Sequence, residues 1–189
     1  NLWLNIRQKA YEGRRTGIGI TAEGDMLAAL GIRYGSEEGN TFSTEVHKIL
    51  GIETYRASVN LAKERGAFSI FDADREKENP FILRIKEADS KLYYEMLEHG
   101  RRNIALLTIA PTGTTSLMTQ TSSGIEPVFM PVYKRRKKVN PNDKGTRVDF
   151  VDELGDSWEE YVVFHHRFKQ WMEVNGIDSS KNFSQEELN

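Results

Sequence analysis

Residues 104–127 read I-A-L-L-T-I-A-P-T-G-T-T-S-L-M-T-Q-T-S-S-G-I-E-P. The first seven are apolar or threonine, the pattern of a buried strand. Pro111 and Gly113 break the run, and Thr112, Thr114, Thr115 and Ser116 supply hydroxyls before Leu117 and Met118 start a short helix. A strand leading into a hydroxyl-rich turn at a helix N-terminus makes an anion cradle: the first-turn amides lack intrahelical acceptors, and the helix dipole favours negative charge there. No Gly-Lys-Ser/Thr follows Gly113, so this is not a Walker loop. A plain capped helix after a strand fits the local pattern equally well.

Upstream, Leu2, Ile6 and Ala10 recur at helical spacing, and Gly13 ends that helix before an extended stretch around residues 17–20. Gly17-Ile18-Gly19 lacks the third glycine and distal acid of a dinucleotide site, which leaves close backbone packing as its reading. Thr21 suits the N-cap of a helix ended by Gly31. Ser36, followed by Glu37 and Glu38, opens a longer helix that runs to about Arg65, with a bend expected at Gly51 and a stop at Gly66. His47 falls on the polar side and reads as solvated. Residues 67–71 form a short strand or packing segment, and residues 72–79 a charged loop without the ligand pattern of an EF-hand. Pro80 suits the first position of another helix, and Ser90 caps the next one, ended by Gly100. Together these helices cover a sheet.

Downstream, residues 128–139 carry Phe129, Val132 and Tyr133 and then Lys134-Arg135-Arg136-Lys137-Lys138. The turn residues 140–145 and the alternating residues 146–151 complete a hairpin with a basic arm. Residues 160–175 read as an amphipathic helix, in which the adjacent His165 and His166 point about 100° apart and make a poor zinc pair. The polar tail, residues 177–189, is expected to fray.

A net charge of −2 implies no global electrostatic task, and the acidic balance outside the basic run argues against nucleic acid, as does the lack of an aromatic platform beside it. No apolar run is long enough to cross a bilayer and no signal-peptide pattern opens the chain, which points to the cytoplasm. The absence of cysteine excludes disulfides, thiolate metal sites and a cysteine nucleophile within these 189 residues.

Pro111-Thr112-Gly113-Thr114-Thr115-Ser116, with Ser122-Ser123-Gly124-Ile125-Glu126-Pro127, resembles the large subunit of ribonucleotide reductases, most closely the adenosylcobalamin-dependent type. Arg14-Arg15-Thr16-Gly17-Ile18-Gly19-Ile20 and Gly100-Arg101-Arg102-Asn103 extend the likeness over residues 1–176, with Glu23 standing where relatives carry an apolar residue. The resemblance implies an α/β fold, one fragment (residues 1–189) of a ten-stranded barrel with covering helices and a β-hairpin. It also implies that residues 111–116 hold the phosphates of a ribonucleotide substrate, that adenosylcobalamin serves the parent enzyme, and that the partners are the rest of the barrel and a second subunit of a homodimer. That family reacts through cysteines, so a cysteine-free chain that starts inside a helical pattern without Met is expected to be an excised piece, inactive alone. Glu126 is expected to bond local backbone, and one of Arg101 and Arg102 to pair with a carboxylate at the strand's start. The competing expectation is a non-catalytic module that keeps the fold and binds phosphate or nucleic acid through the basic hairpin.

Overall fold

Caps and apolar spacing set the helical part. In the computed structural model, which describes residues 1–140, 142–143 and 145–181, Asn1 caps α1 (Leu2–Gly13) by accepting from the Trp3 amide. The N-cap of α2 (Glu23–Ala29) is Ala22, at φ 68°, rather than Thr21, whose hydroxyl is engaged elsewhere. Ser36 accepts from the Gly39 amide to start α3 (Glu37–Arg65). That helix runs 29 residues unbroken through Gly51. Glycine lowers helix propensity by only about 1 kcal/mol, and packing overrides it here.

Residues 72–79, expected as a loop, hold a short helix, α4 (Ala73–Lys77). Asp72 accepts from the Asp74 and Arg75 amides, and Glu76 turns inward. Residues 67–71 form no strand; the Phe71 amide instead bonds the Phe68 carbonyl. α5 (Pro80–Ala88) begins at Pro80 as expected, whereas α6 (Ser90–His99) is capped by Asp89, which accepts from the Leu92 amide, and not by Ser90. The core gathers Tyr55 and Val59 of α3, Ile82 and Ile85 of α5, and Leu92, Tyr93 and Met96 of α6 around Leu106. Each such side chain contributes on the order of 2 kcal/mol by leaving water.

Arg101 locks this core to the segment that follows, and is 4% exposed. One Nη1 lies 2.8 Å from Glu76 Oε1, Nε donates to the Asn103 carbonyl and Nη2 to the Ile104 carbonyl. The guanidinium sits 5.6 Å from the Tyr55 ring centre and 5.3 Å from that of Phe68. Burial pushes the Tyr55 phenol up, an effect that Arg101 opposes. Arg102 turns outward and donates to the carbonyls of Arg65 and Gly66, closing α3's C-terminal end. The expected arginine–carboxylate pair at the strand's start is therefore Arg101 with Glu76.

The C-terminal part is rearranged relative to the sequence reading. β1 (Val132–Lys138) pairs antiparallel with β3 (Ser157–Phe164), which also pairs with the two-residue β2 (Phe150–Val151), in the order β1-β3-β2. The return arm of the basic hairpin is thus residues 157–164, not 146–151, and the expected helix over 160–175 starts only at α8 (His166–Val174). Residues 161–164, Tyr-Val-Val-Phe, are β-branched or aromatic and fit a pleated surface better than a helix. Asp152 fixes the bend before β3, accepting from Trp158 Nε1 and the Leu154 and Asp156 amides; the Trp158 bond, chiefly, holds its carboxyl below the ordinary range. Pro141 and Lys144 of the expected turn, and residues 182–189 of the expected tail, lie outside the described residues. No helix among the described residues is long and apolar enough to cross a membrane.

Two stability tests follow from the charged groups in this frame. Arg101→Met should lower unfolding free energy in urea by about 3–5 kcal/mol, because it strands Glu76 without a cation. Arg101→Met combined with Glu76→Met should recover part of that loss. Asp89 sits below the ordinary carboxylate range, first through its bond from the Leu92 amide and then through Arg56, 2.7 Å away. Its contribution is therefore full above the ordinary carboxylate value and lost as pH falls through the depressed one. Asp89→Asn keeps the cap, so its melting temperature should lie below wild type at pH 7 and converge with it as pH falls through the depressed value.

Candidate functional site

Two chain segments meet in parallel and bring their carboxyl ends to the same place. The Ile18 amide donates to the Leu106 carbonyl and the Thr108 amide to the Ile18 carbonyl, forming a parallel bridge between Ile18 and Leu107. Ile104 and Thr16 add bonds to Gly13 and Ala105. A Cβ on Gly17 would lie 2.9 Å from Thr108 Cγ2, and one on Gly19 would strike the Thr108 carbonyl. The glycines therefore serve close packing, as their spacing suggests. Residues 104–110, expected as a buried strand, make only the isolated bridge at Leu107 and are less buried than expected: Leu106 is 4% exposed, but Ile109 is 64% exposed. Their outer side borders a groove of about 730 Å³ lined by Ile18, Leu50, Ile52, Phe81, Ile85 and Ile109 among others.

Beyond the pair, residues 111–116 form the start of α7 (Gly113–Thr119). Thr112 stands just outside the helix at φ 49°, a left-handed conformation that a β-branched residue adopts only when its surroundings enforce it. Its hydroxyl accepts from the Gly124 amide at 2.7 Å and bonds the Thr21 hydroxyl at 2.8 Å. Ser116, 5% exposed, donates to the Gly113 carbonyl and bonds the Ser123 hydroxyl at 2.7 Å. The six expected site residues thus split. Thr112 and Ser116 point into the loop's own scaffold, whereas Pro111, Gly113, Thr114 and Thr115 are exposed. The first-turn amides of residues 113–115 have no helical carbonyl behind them. A Cβ at Gly113 would meet nothing within 4 Å, so the space beside that residue is open.

Neighbouring charges came less readily from sequence. His47, expected as solvated, lies 2.8 Å from the Glu23 carboxylate, itself 6% exposed. The 24-residue separation hid that pair. Asp25 accepts from the Ser122 amide at 2.9 Å and its own amide donates to Ser122 Oγ, while His165 Nε2 lies 3.8 Å from Asp25 Oδ2. Among the described residues no backbone donor bonds Glu126 as expected; its exposed carboxylate instead lies beside Gly124. Two of the five cations of the basic run are engaged: Arg136 pairs with Glu160 at 2.7 Å and Lys138 with Asp156 at 2.5 Å. Among the described residues no cluster of three His, Cys, Asp or Glu side chains could hold a metal ion.

What this arrangement presents is an exposed helix start with neutral hydroxyl and amide groups. Comparison with known proteins agrees on the family. Residues 3–182 match the family described as ribonucleotide reductase, barrel domain. A vitamin B12-dependent ribonucleoside-diphosphate reductase of Mycobacterium tuberculosis (strain ATCC 25618 / H37Rv) is 35% identical over 131 residues, covering 69% of this chain and 16% of that protein. The ribonucleoside-diphosphate reductase subunit alpha of Treponema pallidum (strain Nichols) is 28% identical over 128 residues, 66% of this chain and 15% of the relative. Its namesake from Helicobacter pylori (strain ATCC 700392 / 26695) is 28% identical over 181 residues, 86% and 22% respectively. The chain spans less than a quarter of the length of these relatives. By the match over residues 3–182, it belongs to the ribonucleotide reductase barrel-domain family.

Proposed function

We propose that this chain is the part of a ribonucleoside-diphosphate reductase that holds the substrate's phosphates, at the loop formed by residues 111–116. The observation that supports this reading is the exposed start of α7: a Cβ on Gly113 would meet nothing within 4 Å, Thr114 and Thr115 are exposed, and first-turn amides lack intrahelical acceptors. A diphosphate carries several negative charges and needs donors that do not titrate, which amides and hydroxyls are. Held there, the ribose of the nucleotide is fixed relative to groups elsewhere in the parent, where small displacements are costly.

The parent enzyme, on this reading, replaces the ribonucleotide 2′-hydroxyl with hydrogen. The relatives' names include vitamin B12-dependent enzymes, so adenosylcobalamin, which supplies radical chemistry when bound, is the proposed cofactor of the parent. The donors gathered at the loop suit phosphate and offer no ligand to cobalt, so no residue described here is assigned to it. Cytoplasmic location, a homodimeric parent and the absence of a membrane or nucleic-acid partner belong to the same reading. So does the ten-stranded barrel. Supporting it are the parallel pair at Ile18 and Leu107 and the largely apolar groove beside it. Against a nucleic-acid module, Arg136 and Lys138 of the basic strand are already paired with acids of β3 and its approach.

Calorimetric titration of the chain with ADP and with pyrophosphate tests the reading. Both should bind at millimolar concentration or better, and Gly113→Asp should abolish binding of both without loss of fold. An added Asp there meets no neighbour and suits a helix N-terminus, so the loss would be electrostatic. No binding by the folded wild-type chain would reduce residues 112–116 to a helix cap.

A further inference from the structure

We propose that Thr21 and Asp25, outside the phosphate loop, are positioning residues for it, and that the Thr112 hydroxyl is an internal strut and not a phosphate ligand. The proposal rests on the phosphate reading of residues 111–116 and adds how that loop is held. Its starting point is direction. Gly124 N–H donates to Thr112 Oγ1, and Thr21 Oγ1 reaches the Ser122 carbonyl at 3.4 Å. With Thr21 donating to Ser122, the 2.8 Å pair between the two threonines has Thr112 as donor. The hydroxyl protons then run one way, from Thr112 to Thr21 to Ser122, and Thr112 has no proton left for a phosphate. Asp25 completes the circuit, accepting from the Ser122 amide while Ser122 Oγ accepts from the Asp25 amide. This two-way bond crosses a separation of 97 residues.

The arrangement explains why Thr112 can stay at φ 49° in a short helix entry that has no side-chain cap of its own. The strained residue sets the direction in which the amides of residues 113–115 point. Its hydroxyl is gripped from residue 21 on one side and residue 124 on the other. Gly24 fits the same purpose: a Cβ there would come within 2.7 Å of Pro127 Cα, so the α2 entry is packed directly against the end of the loop. Such contacts act on an anion only through donor placement, which makes substrate affinity their readout.

The test uses the full-length reductase and measures competitive inhibition by pyrophosphate, the KM of the ribonucleoside diphosphate and kcat at saturation. Thr21→Val should weaken pyrophosphate and raise KM by about tenfold with a smaller change in kcat. Thr21→Ser should restore both. Thr112→Val should match Thr21→Val, and the double variant should be no worse than either single, since one strut is removed twice. Asp25→Asn, which keeps an acceptor for the Ser122 amide, should stay near wild type, and Asp25→Ala should behave as Thr21→Val. Additive losses in the double variant would overturn the strut and make Thr112 a ligand. Unchanged pyrophosphate inhibition in Thr21→Val, with Gly113→Asp still abolishing it, would overturn the positioning role while leaving the phosphate reading standing. Should Gly113→Asp also leave inhibition unchanged, the phosphate reading fails and the proposal with it. If Thr21→Val lowers the melting temperature, the comparison of Thr112→Val with Thr21→Ser decides on the same terms.

Discussion

The parallel contact between Ile18 and Leu107 is the constraint on which the rest depends. It needs two glycines on one strand, because side chains at 17 or 19 would meet Thr108. It also needs the start of the other strand to be held, which Arg101 does by gripping the carbonyls of residues 103 and 104 while bonded to Glu76. Parallel strands place their carboxyl ends together, so the turn after Ile20 and the turn after Ala110 emerge side by side. Everything around residues 111–116, from the Thr21–Thr112 bond to the Asp25–Ser122 pair, is a consequence of that common exit.

Charges in this chain are mostly spent on holding it together. Arg101 is buried between two rings and a carboxylate, Arg102 closes α3, and the basic strand is matched by Glu160 and Asp156 across the hairpin. Exposed pairs such as those of the hairpin are worth well under about 1 kcal/mol each. Their effect is to lower the local positive potential, and that is why five successive cations need not signify a polyanion partner.

What sequence made legible follows a physical rule. Caps and short-range spacing are local, so α1, the long helix from Ser36 to Arg65 and the Pro80 helix could be read directly. The turn into a short helix at residues 111–116 was legible because proline, glycine and hydroxyls act within one turn. The division of labour inside it was not, because what draws Thr112 inward sits at residues 21 and 124. The Glu23–His47 pair was hidden for the same reason. The hairpin was misread where two local signals competed. Residues 160–164 have apolar residues that fit a helical wheel, yet their β-branched and aromatic character and the acids facing the basic strand favour a ladder. Pairing with a distant strand settled that competition, and no window of sequence contains both strands' contributions.

The same reasoning bears on how a motif of hydroxyls should be read. Six adjacent residues with four hydroxyls suggest six ligands, but a loop in a left-handed conformation must also be held, and the holding uses the same chemistry as the binding. Burial separates the two roles. Ser116, at 5% exposed, bonds Gly113 and Ser123, and Thr112 is shared by two partners. Thr114 and Thr115 are exposed beside the open face at Gly113. On the proposed phosphate reading, an anion there would be met by donors already fixed in direction, so little reorganisation would be needed on binding. The inward hydroxyls make that possible by keeping Thr112 in its strained conformation when no anion is present.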